Sequence, residues 1–294
     1  MKLDLSIPVR ERDMVSGGDR VSTTPPAASP ANLARERAFE LRESKLRPPR
    51  TAGRSVPRPM IERRLADTAA TPIVIVCAGA GYGKTTTLVR WAATSDRPVA
   101  WVSLDGNDND PITLLTYVAE AMDRQVGVNA AVFQALDSPG LSLEAQLIPR
   151  LGAALAAVTE PLLLILDDVH TVHDQTCVDA LVALALHVPA GVQIVFSTRD
   201  ASALPLGVWR TRELCLEVGP QDLAMDEPEA RELLDATGDG YSDDDVAALV
   251  RQTEGWPAGL YLAGLSAGAA GVEPAPATLS GNDPLVADFL RSEL

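Results

Sequence analysis

Five apolar, β-branched runs alternate along the chain with stretches of helical periodicity. The apolar runs lie at 72–77, 98–104, 161–170, 192–200 and 213–218, and the last has the weakest alternation. Helical spacing of apolar residues covers 112–122, 143–158 and 177–188. Pro149 should kink or interrupt the second of these helices. Buried apolar strands that alternate with helices predict an α/β fold built on a doubly wound parallel sheet.

The pattern after Val218 is helical throughout. Asp226 and Ser242 each precede an acidic residue by three positions, which is the spacing of a capping box at a helix start. Gly255 is placed to end one helix, and Pro257 is placed to begin the next. These signals predict a small helical domain that follows the sheet.

A glycine-rich segment, AGAGYGKTT at 78–86, follows the first apolar run and opens a helical pattern. We expect its glycines at 79, 81 and 83 to turn the backbone with positive φ and to point N–H groups inward. Lys84 would then reach the β- and γ-phosphates of a nucleotide, and Thr85 would hold Mg²⁺. The positive dipole end of the helix that follows the segment would also attract the phosphates. The segment is therefore predicted to be a phosphate-binding loop (P-loop).

Two details bear on this assignment. Ala78 stands where the motif usually begins with glycine, but the position marks the end of the strand and the Gly-Lys-Thr core is intact. The chain has lysines only at positions 2, 45 and 84. Beyond residue 45, therefore, the single lysine lies in the loop whose chemistry requires one.

An acidic pair, Asp167 and Asp168, ends the third apolar run. This places both carboxylates at the carboxyl edge of the sheet, where ligands bind in open α/β folds. Asp167 is expected to bind Mg²⁺ through water beside Thr85, and Asp168 to orient or deprotonate an attacking water. Such a pair also occurs as a turn or a helix cap. Its coupling to the upstream P-loop favours the nucleotide interpretation.

Arg199 ends the next apolar run, so its guanidinium can point at a γ-phosphate and sense whether that phosphate is present. The alternative is a salt bridge to Asp200 or Asp167. His170 and His173 have no third ligand in the pattern and are interpreted as an ordinary loop pair. Lys84, Asp168 and Arg199 are thus the predicted catalytic groups.

The composition fits an intracellular globular protein. The 294 residues, 46% of them hydrophobic, suffice for one large and one smaller domain. Cysteines at 77, 177 and 215 are too few and too scattered for a disulfide framework, which predicts a reducing compartment. Because the N-terminus lacks a signal-peptide core and no apolar run approaches about 20 residues, we expect a cytoplasmic protein that does not bind membranes.

Charge is unevenly distributed. Residues 1–64 hold 14 Lys and Arg against 8 Asp and Glu, whereas the rest of the chain holds 11 against 32. An acidic body repels phosphate backbones, so we expect no specific DNA binding by this chain alone. In the basic segment, arginines are mixed with acids and prolines, which predicts a solvated, disordered tail over 1–43.

The ordered motifs resemble the nucleotide-binding core of STAND-class P-loop ATPases from large LuxR-type bacterial transcription regulators, the maltose-regulon-activator group. They are KLRPP with VPRP, AGAGYGKTT, AWVSLD, LLLILDDVH, IVFSTRD, LAMDEPEARELL, EGWPAGLYLAGLS and VADFLRSEL, and they span residues 45–294. The resemblance implies nucleotide binding by Gly79, Ala80, Gly81, Tyr82, Gly83, Lys84, Thr85 and Thr86. It also implies that Pro257 packs on adenine, that Val56 and Arg58 lie beside the base, and that Arg199 is the sensor.

Members of this family act as switches, ADP-bound at rest and oligomeric with ATP when an inducer is sensed. Residues 267–283 are rich in Ala, Gly, Pro and Ser, which predicts a loose linker. With the resemblance, this gives a P-loop domain at 44–220, a helical lid at 221–266 and the start of a further helical or winged-helix domain at 284–294. Family chains continue into sensor and DNA-binding modules. We therefore expect this chain to be either a fragment of a longer regulator or a truncated product, and the uncapped amphipathic helix at its end favours truncation.

Three functions follow as hypotheses. The first is an ATP/ADP-binding switch with slow Mg²⁺-dependent hydrolysis and self-association in the ATP state. The second is a metabolic P-loop enzyme such as a kinase, although the sequence shows no arginine cluster for a second substrate. The third is a scaffold that holds nucleotide without turnover, because Asp168 is shorter than the glutamate usual at its position.

Overall fold

The computed structural model describes residues 40–51, 55–68, 70–138, 142, 147–238, 240–270 and 284–293. The strands are β1 Ile73–Cys77, β2 Val99–Ser103, β3 Leu162–Asp167, β4 Val192–Thr198 and β5 Cys215–Val218. The helices are α1 Pro59–Ala66, α2 Lys84–Thr94, α3 Pro111–Val126, α4 Ala130–Leu136, α5 Ile148–Ala156, α6 Gln175–Leu186, α7 Leu206–Thr211, α8 Pro220–Leu223, α9 Glu227–Asp235, α10 Asp243–Thr253, α11 Pro257–Ala270 and α12 Pro284–Glu293. Over these residues, no helix has the length and apolar character needed to cross a bilayer.

The five strands form one parallel sheet in the order β2-β3-β4-β1-β5. The predicted parallel α/β sheet is confirmed, and the weak last run, β5, is one of its two edge strands. β4 lies between β1, which leads into the P-loop, and β3, which ends in the acidic pair. The order therefore brings the residues that follow these three strands to one stretch of the sheet's carboxyl edge, the usual ligand position in such folds.

Both faces of the sheet are covered, as a doubly wound arrangement requires. Alternate residues of β1 enter different cores: Ile73 and Ile75 pack in one apolar cluster, and Val74 and Val76 in another. α1 and α2 cover the face of Val74, and α3 to α6 contribute to the other. Burying each such side chain contributes about 1.5–3 kcal/mol, which makes the sheet a rigid base for the loops at its edge.

Helices α9, α10 and α11 pack around a third apolar cluster and are called the lid below. The predicted caps are present: Glu229 N–H donates to Asp226 at 2.9 Å, and Asp245 N–H donates to the Ser242 hydroxyl at 3.2 Å. Glu254 caps the end of α10 with a φ of +52°, Gly255 follows with a φ of +71°, and α11 begins at Pro257. Val56 packs in the same cluster, so the segment before α1 is attached to the lid.

Two sequence expectations differ from the structure in helix boundaries. α11 continues to Ala270, four residues into the predicted linker at 267–283, because alanine is the best helix former and the next proline is at 274; residues 271–283 lie outside the described part. Of the two predicted outcomes, Pro149 marks a helix boundary and does not kink α5, which begins at Ile148. It lies in the first turn of α5, where its missing N–H removes no helical hydrogen bond.

The predicted tail at 1–43 falls mostly outside the described residues, but its last residues are packed. Leu41 contacts the main core, and Arg42 N–H donates to the Tyr117 hydroxyl at 3.1 Å. Glu43 accepts two hydrogen bonds from Arg124, at 2.6 and 2.8 Å. The expectation of a tail is therefore wrong for 41–43, because partners far along the chain stabilise a segment whose own composition shows no sign of order.

Candidate nucleotide-binding site

The loop between β1 and α2 has the backbone shape of a phosphate cradle. Gly81 and Gly83 both have φ of +75°, and Gly83 caps α2 in the left-handed conformation. The prediction of a positive φ is wrong for Gly79, because the chain continues from β1 through this residue and reverses only at Gly81. Since α2 begins at Lys84, the N–H groups of its first turn have no partner within the helix and are suited to an anion.

Lys84 lies over this loop. Its ammonium donates to the carbonyl oxygens of Ala78 at 2.8 Å and Gly79 at 3.0 Å, and only 7% of the residue is exposed. Burial lowers the pKa of Lys84, as does the charge of Arg199, while the carboxylate of Asp168 opposes them. The loop thus holds a desolvated cation through two backbone carbonyls, which a phosphate can replace as the stronger partner.

Thr85 and Asp167 meet at the sheet edge. The Thr85 hydroxyl donates to Asp167 Oδ2 at 2.9 Å, and Asp168 N–H donates to Oδ1 of the same carboxylate at 3.1 Å. Mg²⁺ takes oxygen ligands and is usually held by one or two side chains together with phosphates and water. No cluster of three or more His, Cys, Asp or Glu suited to a metal occurs among the described residues. The Thr85–Asp167 pair therefore fits a nucleotide-bound Mg²⁺.

A cavity of about 380 Å³, the loop cavity, opens beside these groups. It is lined by Ala80, Gly81, Gly83, Lys84, Thr85, Thr86, Asp168, Arg199 and Phe289. Asp168 has φ of +59°, and Thr171 stabilises this conformation by donating its hydroxyl and N–H to the Asp168 carbonyl at 2.9 and 3.0 Å. The structure thus brings three predicted catalytic groups, Lys84, Asp168 and Arg199, to one cavity, and adds Phe289 from α12.

His170 also lies in this region, contrary to its interpretation as an ordinary loop residue. Its Nδ1 is 3.9 Å from Asp168 Oδ1 and is buried, with no hydrogen-bond partner among the described residues. Burial lowers the pKa of His170, and the nearby charges of Arg199 and Lys84 lower it further, which favours the neutral ring. The sequence signal was available, because His170 lies two positions after Asp168, but only the fold shows its proximity to Arg199 and Lys84.

A second cavity of about 560 Å³, the apolar cavity, borders the same loop. Gly81, Gly83 and Thr86 line both cavities, so one ligand could contact both. The other lining residues of the apolar cavity include Val56, Arg58, Met225, Leu233, Ala236, Pro257, Ala258 and Tyr261. The volume and the apolar walls are typical of a site for a small-molecule ring system.

Arg58 lines the apolar cavity, but its guanidinium is already engaged. It donates to the carbonyl oxygens of Leu223 at 2.7 Å and Ala224 at 2.8 Å, and it pairs with Glu229 at 2.9 Å. Only 5% of the residue is exposed. The structure therefore gives this side chain a clear role in attaching the lid to the segment before α1. Contact with a base remains a prediction for Arg58, as it does for Val56 and Pro257.

The lid contacts the P-loop backbone directly. Trp256 Nε1 donates to the Ala80 carbonyl at 3.0 Å, and Ala258 N–H donates to the Gly81 carbonyl at 3.1 Å. Phe289 packs edge-on against Trp256 with ring centroids 5.8 Å apart. A β-carbon on Gly81 would lie 2.5 Å from Ala258 Cβ. The approach of lid to loop thus requires glycine at position 81.

This close approach makes two glycine variants a matched pair. Gly81→Ala and Gly83→Ala should both suffer the strain of left-handed alanine, about 1–2 kcal/mol. A β-carbon on Gly83 meets nothing within 4 Å, whereas one on Gly81 displaces the lid. We expect Gly81→Ala alone to increase hydrogen exchange in α11 of the nucleotide-free protein. Equal exchange in the two variants would contradict the lid contact.

The chain is similar in sequence to known bacterial regulators. No protein-family model matches the chain. It is 31% identical over 227 residues to the HTH-type transcriptional regulator MalT of Serratia proteamaculans, and 30% identical over 226 residues to MalT of Klebsiella pneumoniae. This chain is a relative of the MalT regulators. The matches cover 76% of this chain and 25% of each regulator, so the chain spans about a quarter of the length of these relatives.

The fold is shared with a solved P-loop protein. The Walker-type ATPase paby2304 of Pyrococcus abyssi superposes with a TM-score of 0.51 and 14% identity, over 81% of this chain and 72% of that chain. The resemblance predicted from the ordered motifs, a P-loop ATPase core of MalT-like regulators, is confirmed. The roles of the individual site residues are not tested by these similarities and stay predictions.

Proposed function

We propose that this chain is the nucleotide-dependent switch core of a MalT-like transcription regulator, binding ATP and ADP with Mg²⁺ and hydrolysing ATP slowly. The observation that carries the proposal is the contact between lid and P-loop, at Trp256–Ala80 and Ala258–Gly81. A nucleotide that fills the two cavities contacts both the lid and the P-loop. Its differential contacts can therefore bias their relative orientation, which is what a ligand-driven switch requires.

Each site residue has a role in this proposal. Lys84 and the N–H groups of the first turn of α2 bind phosphate oxygens, while Thr85 and Asp167 hold Mg²⁺, which supplies charge neutralisation at those oxygens when bound. Asp168 orients or deprotonates the attacking water. Arg199 contacts the γ-phosphate and thereby distinguishes ATP from ADP.

The test compares nucleotide states of the wild-type chain. We expect ATP turnover well below the 1–100 s⁻¹ typical of kinases, because a switch must persist in its ATP state. We also expect a larger hydrodynamic size with a non-hydrolysable ATP analogue than with ADP, measured by sedimentation velocity. Rapid turnover with no change of size would favour an ordinary P-loop enzyme.

A non-hydrolysing scaffold is the second candidate. It is favoured by the short Asp168 side chain, which is also fixed by a left-handed backbone at its own residue. Single-turnover assays separate the two functions. ATP that stays bound and intact over many hours, with wild-type affinity for Mg²⁺-ATP, would support the scaffold.

Replacing Arg199 tests the sensor role. Arg199→Ala should keep the affinity for ADP and weaken binding of the ATP analogue by about 10-fold, the loss of one charge-assisted contact to the γ-phosphate. Titration of each nucleotide by calorimetry measures this ratio. Arg212→Ala, which removes an exposed arginine at the end of α7, is the control. If Arg199→Ala weakens ADP and ATP equally, the sensor assignment is wrong.

A further inference from the structure

Tyr261 is a large aromatic residue that the fold leaves nearly half exposed, at 47%. It lies on α11, one helical turn after Pro257, so the two residues share a face of the helix. Both line the apolar cavity, whose other walls include Val56, Met225 and Leu233. An aromatic ring that borders a cavity of apolar side chains offers a flat surface that none of those walls supplies.

The position of this cavity determines what the ring can contact. Gly81, Gly83 and Thr86 line both this cavity and the loop cavity that holds Lys84. A nucleotide whose phosphates occupy the loop cavity therefore has the adjoining apolar cavity for its base. Aromatic side chains stack on nucleobases because every base has a π-face, and tyrosine is ordered at low entropic cost because it has two χ angles.

We propose that Tyr261 is a base-binding residue, whose ring stacks on the purine of the bound nucleotide and favours purine over pyrimidine nucleotides. The inference rests on the proposed nucleotide function and adds a contact from the lid that is distinct from Pro257. It also links base recognition to switching, because the ring belongs to the same helix that contacts the P-loop through Ala258.

The test measures affinity for three ligands by calorimetry: ADP, uridine diphosphate and pyrophosphate, each with Mg²⁺. Tyr261→Ala should weaken ADP binding roughly 5- to 150-fold, the range that base–aromatic stacking gives on alanine substitution. Its affinity for pyrophosphate, which has no base, should equal that of the wild type. The preference for ADP over uridine diphosphate should fall in the same variant.

Two further variants keep the result interpretable. Tyr261→Phe retains the ring without its hydroxyl, and we expect ADP affinity within about 2-fold of wild type if stacking is the operative contact. Leu265→Ala removes an exposed apolar side chain one turn further along α11 that is not among the described lining residues of the cavity, and it should leave all three affinities unchanged. The melting temperature of each ligand-free variant verifies that it is folded.

The outcomes separate this inference from the proposed function. If the wild-type chain binds neither ADP nor pyrophosphate, the nucleotide function itself fails. If wild type binds ADP and Tyr261→Ala binds it equally well, the function stands and the stacking role is wrong. The stacking role is also wrong if Tyr261→Ala weakens pyrophosphate as much as ADP, since the ring then acts through the shape of the loop.

Discussion

Lys84→Ala is expected to abolish binding of ATP and ADP while the chain stays folded. Lys84 is the cation at the centre of the loop, its ammonium bonded to the carbonyls of Ala78 and Gly79, and it lines the loop cavity. Without it, phosphate oxygens face backbone N–H groups and Arg199 but lose the charge nearest the β- and γ-positions. The backbone shape of the loop depends on Gly81 and Gly83, so it should persist.

Thermal unfolding with and without nucleotide measures this effect. A ligand at 100 times its dissociation constant should stabilise the wild type by about 2.7 kcal/mol and the variant by almost nothing. Lys84→Met provides a second variant, because it removes the charge but keeps an apolar stem in the buried site. Lys2→Ala controls for the loss of a lysine outside the described residues. Equal stabilisation of Lys84→Ala and wild type would overturn the site assignment.

The parts of this site that the sequence predicts are those with local signals. A glycine-rich loop between an apolar run and a helical pattern specifies the phosphate cradle, because φ above zero and free N–H groups follow from residue type alone. Asp167, Asp168 and Arg199 each end a buried strand. In a parallel sheet the ends of such strands share one edge, so their convergence follows from the fold class.

No local signal in the sequence predicts contacts between segments that are far apart along the chain. Lys45 is buried and pairs with Asp108 at 2.5 Å and Asp105 at 3.0 Å, although its own neighbourhood is rich in prolines and arginines. Arg58 bonds to carbonyls of Leu223 and Ala224, more than 160 positions away. Periodicity reports which face of an element is apolar but not which element packs on it, so such partners emerge only in the folded chain.

Because periodicity does not report packing partners, the sequence also did not predict two residues that line the cavities. Tyr261 and Phe289 have helical spacing that is typical of core residues, and each instead borders a cavity at the P-loop. The strand order was equally hidden, because alternating runs predict a parallel sheet without stating that β4 lies between β1 and β3. That order is what places Arg199 between the P-loop and the acidic pair.

Asp168→Asn is expected to retain ATP and Mg²⁺ and to lose hydrolysis. Asn has nearly the same shape as Asp and tolerates the left-handed conformation found at φ of +59°, so the loop geometry should be preserved. Because 43% of the Asp168 side chain is exposed, the substitution should change the unfolding free energy little. Asp167, which pairs with Thr85, is left intact to hold Mg²⁺.

The side-chain amide introduced by Asp168→Asn is neither basic nor charged, so it cannot accept a proton from the attacking water. The loss of a positioned base reduces rates by roughly 10²- to 10⁴-fold, which single-turnover hydrolysis of bound ATP measures directly. Asp179→Asn, on the exposed surface of α6, removes one carboxylate away from the loop cavity and should hydrolyse at the wild-type rate. Wild-type hydrolysis by Asp168→Asn would assign the activation of water to another group. His170, whose Nδ1 is 3.9 Å from the same carboxylate, would then be the next residue to replace.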